Sequence, residues 1–182
     1  MFRLIIGFSI LLNSIIGHAQ KCVPDCPLIT EKYQYTEKAK LVTRPKLKVQ
    51  KAVVAGDSTI FRLYRDYYCR LDPESEYQPE LIWAIESGTT SFVREFSLSD
   101  STNVPLYFSD GARGPSAQIP HRFKGASGSV KGRKAGSIWE VEVNLTVYYY
   151  DIYGELLENL QFKEHRTFRP MTGKERQAFV HP

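Results

Sequence analysis

The chain has few of the residues that most catalytic and metal sites need. Its 182 residues include three cysteines, four histidines and two methionines. Three histidines lie beyond the N-terminal apolar segment, at His121, His165 and His181. None stands in H-x-x-x-H or H-E-x-x-H spacing or beside a cysteine pair, so a zinc site has no support. His121, behind Pro120, reads as turn packing, His165 as an exposed strand residue and His181 as a terminal residue. G-x-S-x-G is absent, which removes the nucleophile elbow of the hydrolases. A calcium loop needs several acidic oxygens. "SDGARG" offers only Asp110, and the denser Asp72, Glu74 and Glu76 of "DPESE" read as a solvated turn. No catalytic residue, metal site or cofactor is assigned. Neither sign of charge dominates, with 24 basic against 20 acidic residues. There is no internal repeat and no long amphipathic helix.

Only one long hydrophobic run exists, at the N-terminus. Arg3 precedes an apolar core from Leu4 to Ile16, and Gly17-His18-Ala19 supplies small residues at the positions a signal peptidase reads. The run is short of the roughly 20 residues that span a bilayer. Residues 1–19 are therefore expected to be a signal peptide. The protein is expected to be secreted or periplasmic, without a stable membrane span and without nucleic-acid partners.

The next stretch, "QKCVPDC", places Cys22 and Cys26 just behind that segment. Gln20 and Lys21 stand where a lipoprotein signal needs small residues, so no lipid attachment is expected. Three residues between the cysteines and Pro27 behind them do not fit a redox motif. Export to an oxidising space favours a disulfide. Either Cys22 and Cys26 close a small loop, which leaves Cys69 an ordinary core residue, or one of them ties the leader to Cys69. The local pair is preferred. Residues 20–47 as a whole, with Pro24, Pro27, Pro45 and several lysines, read as a solvated leader.

Eleven tyrosines and ten phenylalanines favour strands. Strands are expected over Lys46–Val54, Thr59–Cys69, Glu80–Glu86, Ser91–Leu98 and Pro105–Phe108. "KGASGSVKGRKAG" (Lys124–Gly136) has four glycines and four basic residues. Its spacing is not that of a phosphate loop, and it reads as a mobile solvated loop. In Ser137–Tyr150, Trp139, Val141, Val143, Leu145, Val147 and Tyr149 share one face. That alternation is a half-buried strand. "DIYG" turns it into a partner over Glu155–Arg169, giving a long hairpin. Thr172 with Glu175 three residues later fits a capping box, predicting a short helical turn in 171–182.

Four segments stand out in order: "VVAGDSTIFRL" (Val53–Leu63), "IWAIESGTTS" (Ile82–Ser91), "PHRF" (Pro120–Phe123) and "WEVEVNLTVYYYDIYG" (Trp139–Gly154). Together they resemble PKD-type and other immunoglobulin-like domains. The resemblance covers roughly residues 50–168. It departs from the pattern at Glu86-Ser87-Gly88, in the long stretch Phe92–Gln118, and in the missing second inter-sheet cysteine. It implies an all-β chain: an immunoglobulin-like (PKD-like) antiparallel β-sandwich over 48–170, with a short helical tail. An up-and-down barrel is the alternative.

The leading functional expectation is a non-enzymatic binding module that meets a protein or glycan partner at the cell envelope. Candidate binding residues are Tyr148 and Tyr150 on the outer face of the long strand, with Lys131, Arg133 and Lys134 of the glycine-rich stretch. The alternatives are a small secreted hydrolase or metal-dependent enzyme with its site in 92–120, and a barrel holding a small apolar ligand.

Overall fold

The computed structural model describes residues 28–43, 51–67, 78–98, 106–109, 122–150 and 156–180. The expected signal peptide, Cys22, Cys26, Cys69, Asp72, Glu74, Glu76, Asp110, His121 and His181 lie outside them. So do the side chains of Tyr149 and Tyr150. Among the described residues no helix is long and apolar enough to cross a membrane.

The chain is all-β, with nine strands and one short helix among the described residues. The strands are β1 (Leu28–Thr43), β2 (Lys51–Ala55), β3 (Ser58–Tyr67), β4 (Glu80–Glu86), β5 (Ser91–Phe96), β6 (Leu106–Ser109), β7 (Arg122–Ala135), β8 (Ile138–Tyr150) and β9 (Leu156–Pro170). The helix, α1, spans Gly173–Val180. One mixed sheet runs β5-β7-β8-β9-β1-β3-β4-β6, with β2 added to β1. Every neighbouring pair is antiparallel except β1 with β9, which meet in parallel over two positions, Gln34 to Arg169 and Tyr35 to Pro170. An antiparallel arrangement was expected. It holds within each half of the sheet and gives way to a parallel seam where the halves join.

The sheet curls so that one face meets itself. Phe61, Leu63, Leu81, Trp83 and Ile85 of one half share a core with Val130, Trp139, Val141, Val143, Leu145, Val147, Phe162 and Phe168 of the other. The alternating strand expected over Ser137–Tyr150 is β8. Its odd residues from Trp139 to Val147 are buried, and Glu140, Glu142 and Asn144 are exposed. β8 pairs with β9 from Trp139–Phe168 to Tyr150–Leu156, the long hairpin. β4 is the short apolar run "ELIWAIE". Leu81, Trp83 and Ile85 enter the main core, while Ile82 and Ala84 enter a second cluster on the opposite face.

Two segments read as solvated are strands. The middle of the expected leader is β1, the strand at the seam. Tyr33 and Tyr35 face the main core, yet Ala39 and Leu41 join the second cluster, although all four have odd numbers. A bulge explains the switch. Between the pairs Thr36–Ile60 and Ala39–Ser58, β1 advances three residues while β3 advances two. One extra residue turns all later side chains to the other face. Lys38 sits in the bulge with φ 54°, a conformation that costs a non-glycine residue energy. Its lysines therefore mark the solvated edges of a strand that serves two cores.

The glycine-rich stretch, expected as a mobile loop, is most of β7, paired to β5 and β8. Its glycines are contact positions. A Cβ on Gly132 would lie 2.3 Å from the ring of Phe92, its cross-strand neighbour. The ring covers the space the glycine leaves, a known way to stabilise glycine in a sheet. A Cβ on Gly128, at φ +115°, would lie 2.1 Å from the Asn144 carbonyl oxygen.

The capping box forms as expected. The Thr172 N–H donates to Glu175 Oε2 at 2.8 Å, and the Glu175 N–H donates to Thr172 Oγ1 at 3.3 Å. Arg169 donates to both Glu175 oxygens at 2.6 and 2.8 Å. These bonds fix the exit from β9, so that Phe179 packs into the second cluster with Leu41, Val53, Ile60 and Ile82.

Gly128→Ala is expected to destabilise by about 2 kcal/mol or more, through φ strain and the carbonyl clash. The equivalent Ser129→Ala change should move the denaturant midpoint little, and equal midpoints for the two variants would contradict the contact. Glu175 is held well below the ordinary carboxylate range, first by Arg169 and then by the Thr172 N–H. A depressed folded value means stability is full above the unfolded value of roughly 4.3 and is lost as pH falls below it. Glu175→Gln should cost about 1 kcal/mol at neutral pH. It should also flatten the melting temperature against pH below 4.3, read by circular dichroism.

Candidate functional site: the outer face of the long meander

The registers of β5, β7, β8 and β9 place side chains in rows across the outer face. One row is Ser91, Arg133, Glu140 and Thr167. The next is Val93, Lys131, Glu142 and His165, and the third is Glu95, Ser129, Asn144 and Lys163. All twelve are exposed except the half-buried Ser129. Residues directly opposite in an antiparallel pair have Cβ atoms about 5 Å apart. Arg133 therefore stands beside Glu140, and Glu142 lies between Lys131 and His165. An antiparallel sheet can leave one face to water, and the side chains at these twelve positions are polar except at Val93.

An open depression of about 630 Å³ lies on this face, lined by Glu142, Val143, Asn144, Lys163, Glu164 and His165. It brings a carboxylate, an amide, an ammonium and an imidazole to one surface. Those groups donate and accept hydrogen bonds in several directions at once. Among the described residues no three His, Cys, Asp or Glu side chains are grouped to hold a metal ion.

The candidate residues divide over this geometry. Lys131 and Arg133 stand on the outer face, in two of the rows. Lys134 does not join them. It points the other way and donates to Glu37 of β1 at 2.6 Å, tying the two halves of the sheet together. Tyr148 lies on the outer face as expected, but it is half-buried, and its hydroxyl is 3.2 Å from Ser127 Oγ on β7. Part of its ring is therefore spent on cross-strand packing. Glu142, Asn144 and Lys163 were not singled out from the sequence. They were visible only as polar residues of the expected hairpin, and what joins them to Lys131 and Val93 is the register of β7, the one strand of this face read as a loop. His165 stands exposed on its strand, as read.

A second polar group faces inward, beside the seam. Glu164 of β9 has a side chain only 5% exposed. It accepts from the Tyr33 hydroxyl at 2.6 Å and pairs with the Arg65 guanidinium. Arg65 also lies 3.2 Å from Glu31, and Arg166 lies over the Tyr33 ring, 5.5 Å from its centroid. Arg65 follows Phe61 and Leu63 on the face of β3 that enters the core, and this cluster is what accommodates its charge there. Burial raises the Tyr33 phenol above its ordinary value, and its hydrogen bond to Glu164 raises it further. The same neighbours hold Arg65 charged throughout the accessible pH range. This is a structural clamp where β1 and β9 diverge, with the Glu164 carboxylate at its buried centre.

Glu164→Gln should leave Arg65 half-buried with only Glu31 as a carboxylate partner, at a cost of up to about 3 kcal/mol. A raised phenol contributes stability that is full below about 10 and lost as pH rises through the folded value. The variant should therefore show a tyrosine absorbance transition at lower pH than the parent; an unmoved transition would place Tyr33 outside the carboxylate's reach.

Comparison with known proteins adds no relative on which to test this geometry: no family model, no curated protein and no solved structure matches the chain.

Proposed function

We propose that this protein is a non-enzymatic binding module, exported to the cell envelope, that takes a neutral glycan on the outer face of β7, β8 and β9. The observation that carries the reading is the set of three exposed cross-strand rows around the Glu142, Asn144, Lys163 and His165 depression. Sugar hydroxyls each donate and accept, and this face supplies carboxylate and amide acceptors interleaved with ammonium, guanidinium and amide donors. Its charges balance: Lys131, Arg133 and Lys163 against Glu95, Glu140 and Glu142. That balance does not favour a polyanion, whose binding rests on an excess of one sign. A protein partner is less well served, because interface energy concentrates on buried aromatic, Arg and aliphatic anchors, and in these rows only Val93 and Arg133 are of those kinds.

The fold reading that accompanies this is an immunoglobulin-like sandwich of the PKD type. In it the two halves of the curled sheet are the layers, joined at the β1–β9 seam. The filled aromatic interior supports it over a ligand-holding barrel. The rival reading, an enzyme with its site in 92–120, is less well supported. The described parts of that region are β5 and β6, whose Phe92, Phe96, Leu106 and Phe108 are committed to the core.

Binding is tested with the polysaccharide fraction of the parent envelope, measured by calorimetry before and after protease treatment. Protease-resistant binding that falls at least roughly tenfold in a Glu142→Ala/Asn144→Ala/His165→Ala chain, with an unchanged melting temperature, is the expected result, since each hydrogen bond to a charged group is worth about 1.5–3 kcal/mol. Binding that survives the triple replacement removes this face from the function, and binding destroyed by protease assigns it to a protein.

A further inference from the structure

β5 ends the sheet beside the polar face. Among the described residues it pairs on one side only, with β7. An open strand edge is usually blocked by lysine, proline, a bulge or extreme shortness. "SFVREF" has neither lysine nor proline, and its register to β7 runs unbroken over six residues. At the other end of the sheet β6 is only four residues long. In the middle of β5, on the outer face, stands Val93, 60% exposed.

We propose that β5 pairs antiparallel with β5 of a second copy of this chain, about a two-fold axis through Val93. Directly opposed residues must point to the same face, so the axis passes through a residue and not between two. Axes through Val93 and Arg94 give the longest overlap within Ser91–Phe96. The Arg94 axis sets two guanidinium groups against each other, which disfavours it. The Val93 axis sets the two valines together. It places each Ser91 opposite Glu95 of the second copy on the outer face, and each Phe92 opposite Arg94 of the second copy on the inner face. Arg94 is an inward charge, itself a device against edge pairing. In this register it gains an aromatic ring as a cation–π partner.

A two-fold axis perpendicular to the sheet keeps both outer faces on the same side. The three polar rows of one copy then continue into those of the other, giving one surface with two depressions. A pairing this short buries far less than the roughly 1,000 Å² of a stable interface. The dimer is therefore weak and concentration-dependent, and it gains its effect on a repetitive ligand through two linked contacts.

Sedimentation of the exported protein over a concentration series tests this, with a reductant present so that an unpaired cysteine cannot link two chains. The expected result is a reversible dimer. Val93→Lys should raise its dissociation constant at least roughly tenfold. Ser91→Glu should weaken it, because like charges then face each other twice. Adding Glu95→Lys to Ser91→Glu should restore association. All these positions are on the solvated face, and matching circular dichroism melts will show that the variants fold. A chain that stays monomeric at the highest concentration reached, a dimer indifferent to Val93→Lys, or a charge reversal that restores nothing overturns the proposal. The assay contains no glycan, so its outcome is independent of the ligand reading.

Discussion

The two halves of this sheet are held together by one ring. Phe61 of β3 stacks on Trp83 at 5.2 Å and 3°, within its own half. It also meets Trp139 edge-on at 5.3 Å, Phe92 at 5.4 Å and Phe168 at 5.7 Å, all from the opposite half. Tyr35 lies 6.0 Å away on the neighbouring strand. Offset and edge-to-face ring pairs each add about 0.5–1.5 kcal/mol beyond the area they bury. They also have defined geometry, so a cluster of six rings fixes how far the sheet curls. Aliphatic side chains alone would leave that curvature less well specified. Everything outside the core inherits its position from this curl, including the direction in which the polar face of β8 points.

The seam between the halves is weaker by construction. β1 and β9 share two parallel register positions and then separate. Where they separate, the space is closed by charged and phenolic groups: Tyr33 and Arg65 from one half, Glu164 and Arg166 from the other. A hydrogen bond from Tyr33 to Glu164 and the ion pair with Arg65 demand particular distances, which hydrophobic contact does not. At the far end, Lys134 to Glu37 makes a similar link at the surface. The core therefore supplies the attraction between the halves, and the polar links set their alignment.

The sequence was most readable where one residue's environment follows from its neighbours in the chain. β8 alternates from Trp139 to Val147 and is half-buried there as expected. β4 is a short continuous apolar run and is covered on both faces. Thr172 and Glu175 cap a helix because the motif is local. Reading failed where the environment is set from a distance. β1 looks irregular because a bulge at Lys38 sends Tyr33 and Tyr35 to one core and Ala39 and Leu41 to another, and no single period describes it. β7 looks like a loop because its glycines are demanded by Phe92 on one neighbour and the Asn144 carbonyl on the other. The candidate site suffered from the same blindness. Lys131 and Arg133 were found for their charge, but their companions Glu142, Asn144 and Lys163 acquire meaning only through cross-strand register.

Those failures bear on function. A glycine-rich strand between two charged neighbours is a poor choice for stability alone, since glycine weakens a strand. In β7 it has a particular effect on the outer surface. At Gly132 the missing side chain leaves room for the Phe92 ring, at Gly128 it keeps the Asn144 carbonyl oxygen clear, and β7's register with both neighbours is unbroken from Ser129 to Arg133. Over that span the outer side chains therefore stand in register in cross-strand rows, with no bulge between them. Solvated side chains do not need such alignment for the chain to stay folded. Alignment matters to a surface that must present several hydrogen-bonding groups at once to an extended ligand. The composition that made β7 illegible as a strand is thus the same feature that keeps its outer side chains in register, on which the proposed recognition depends.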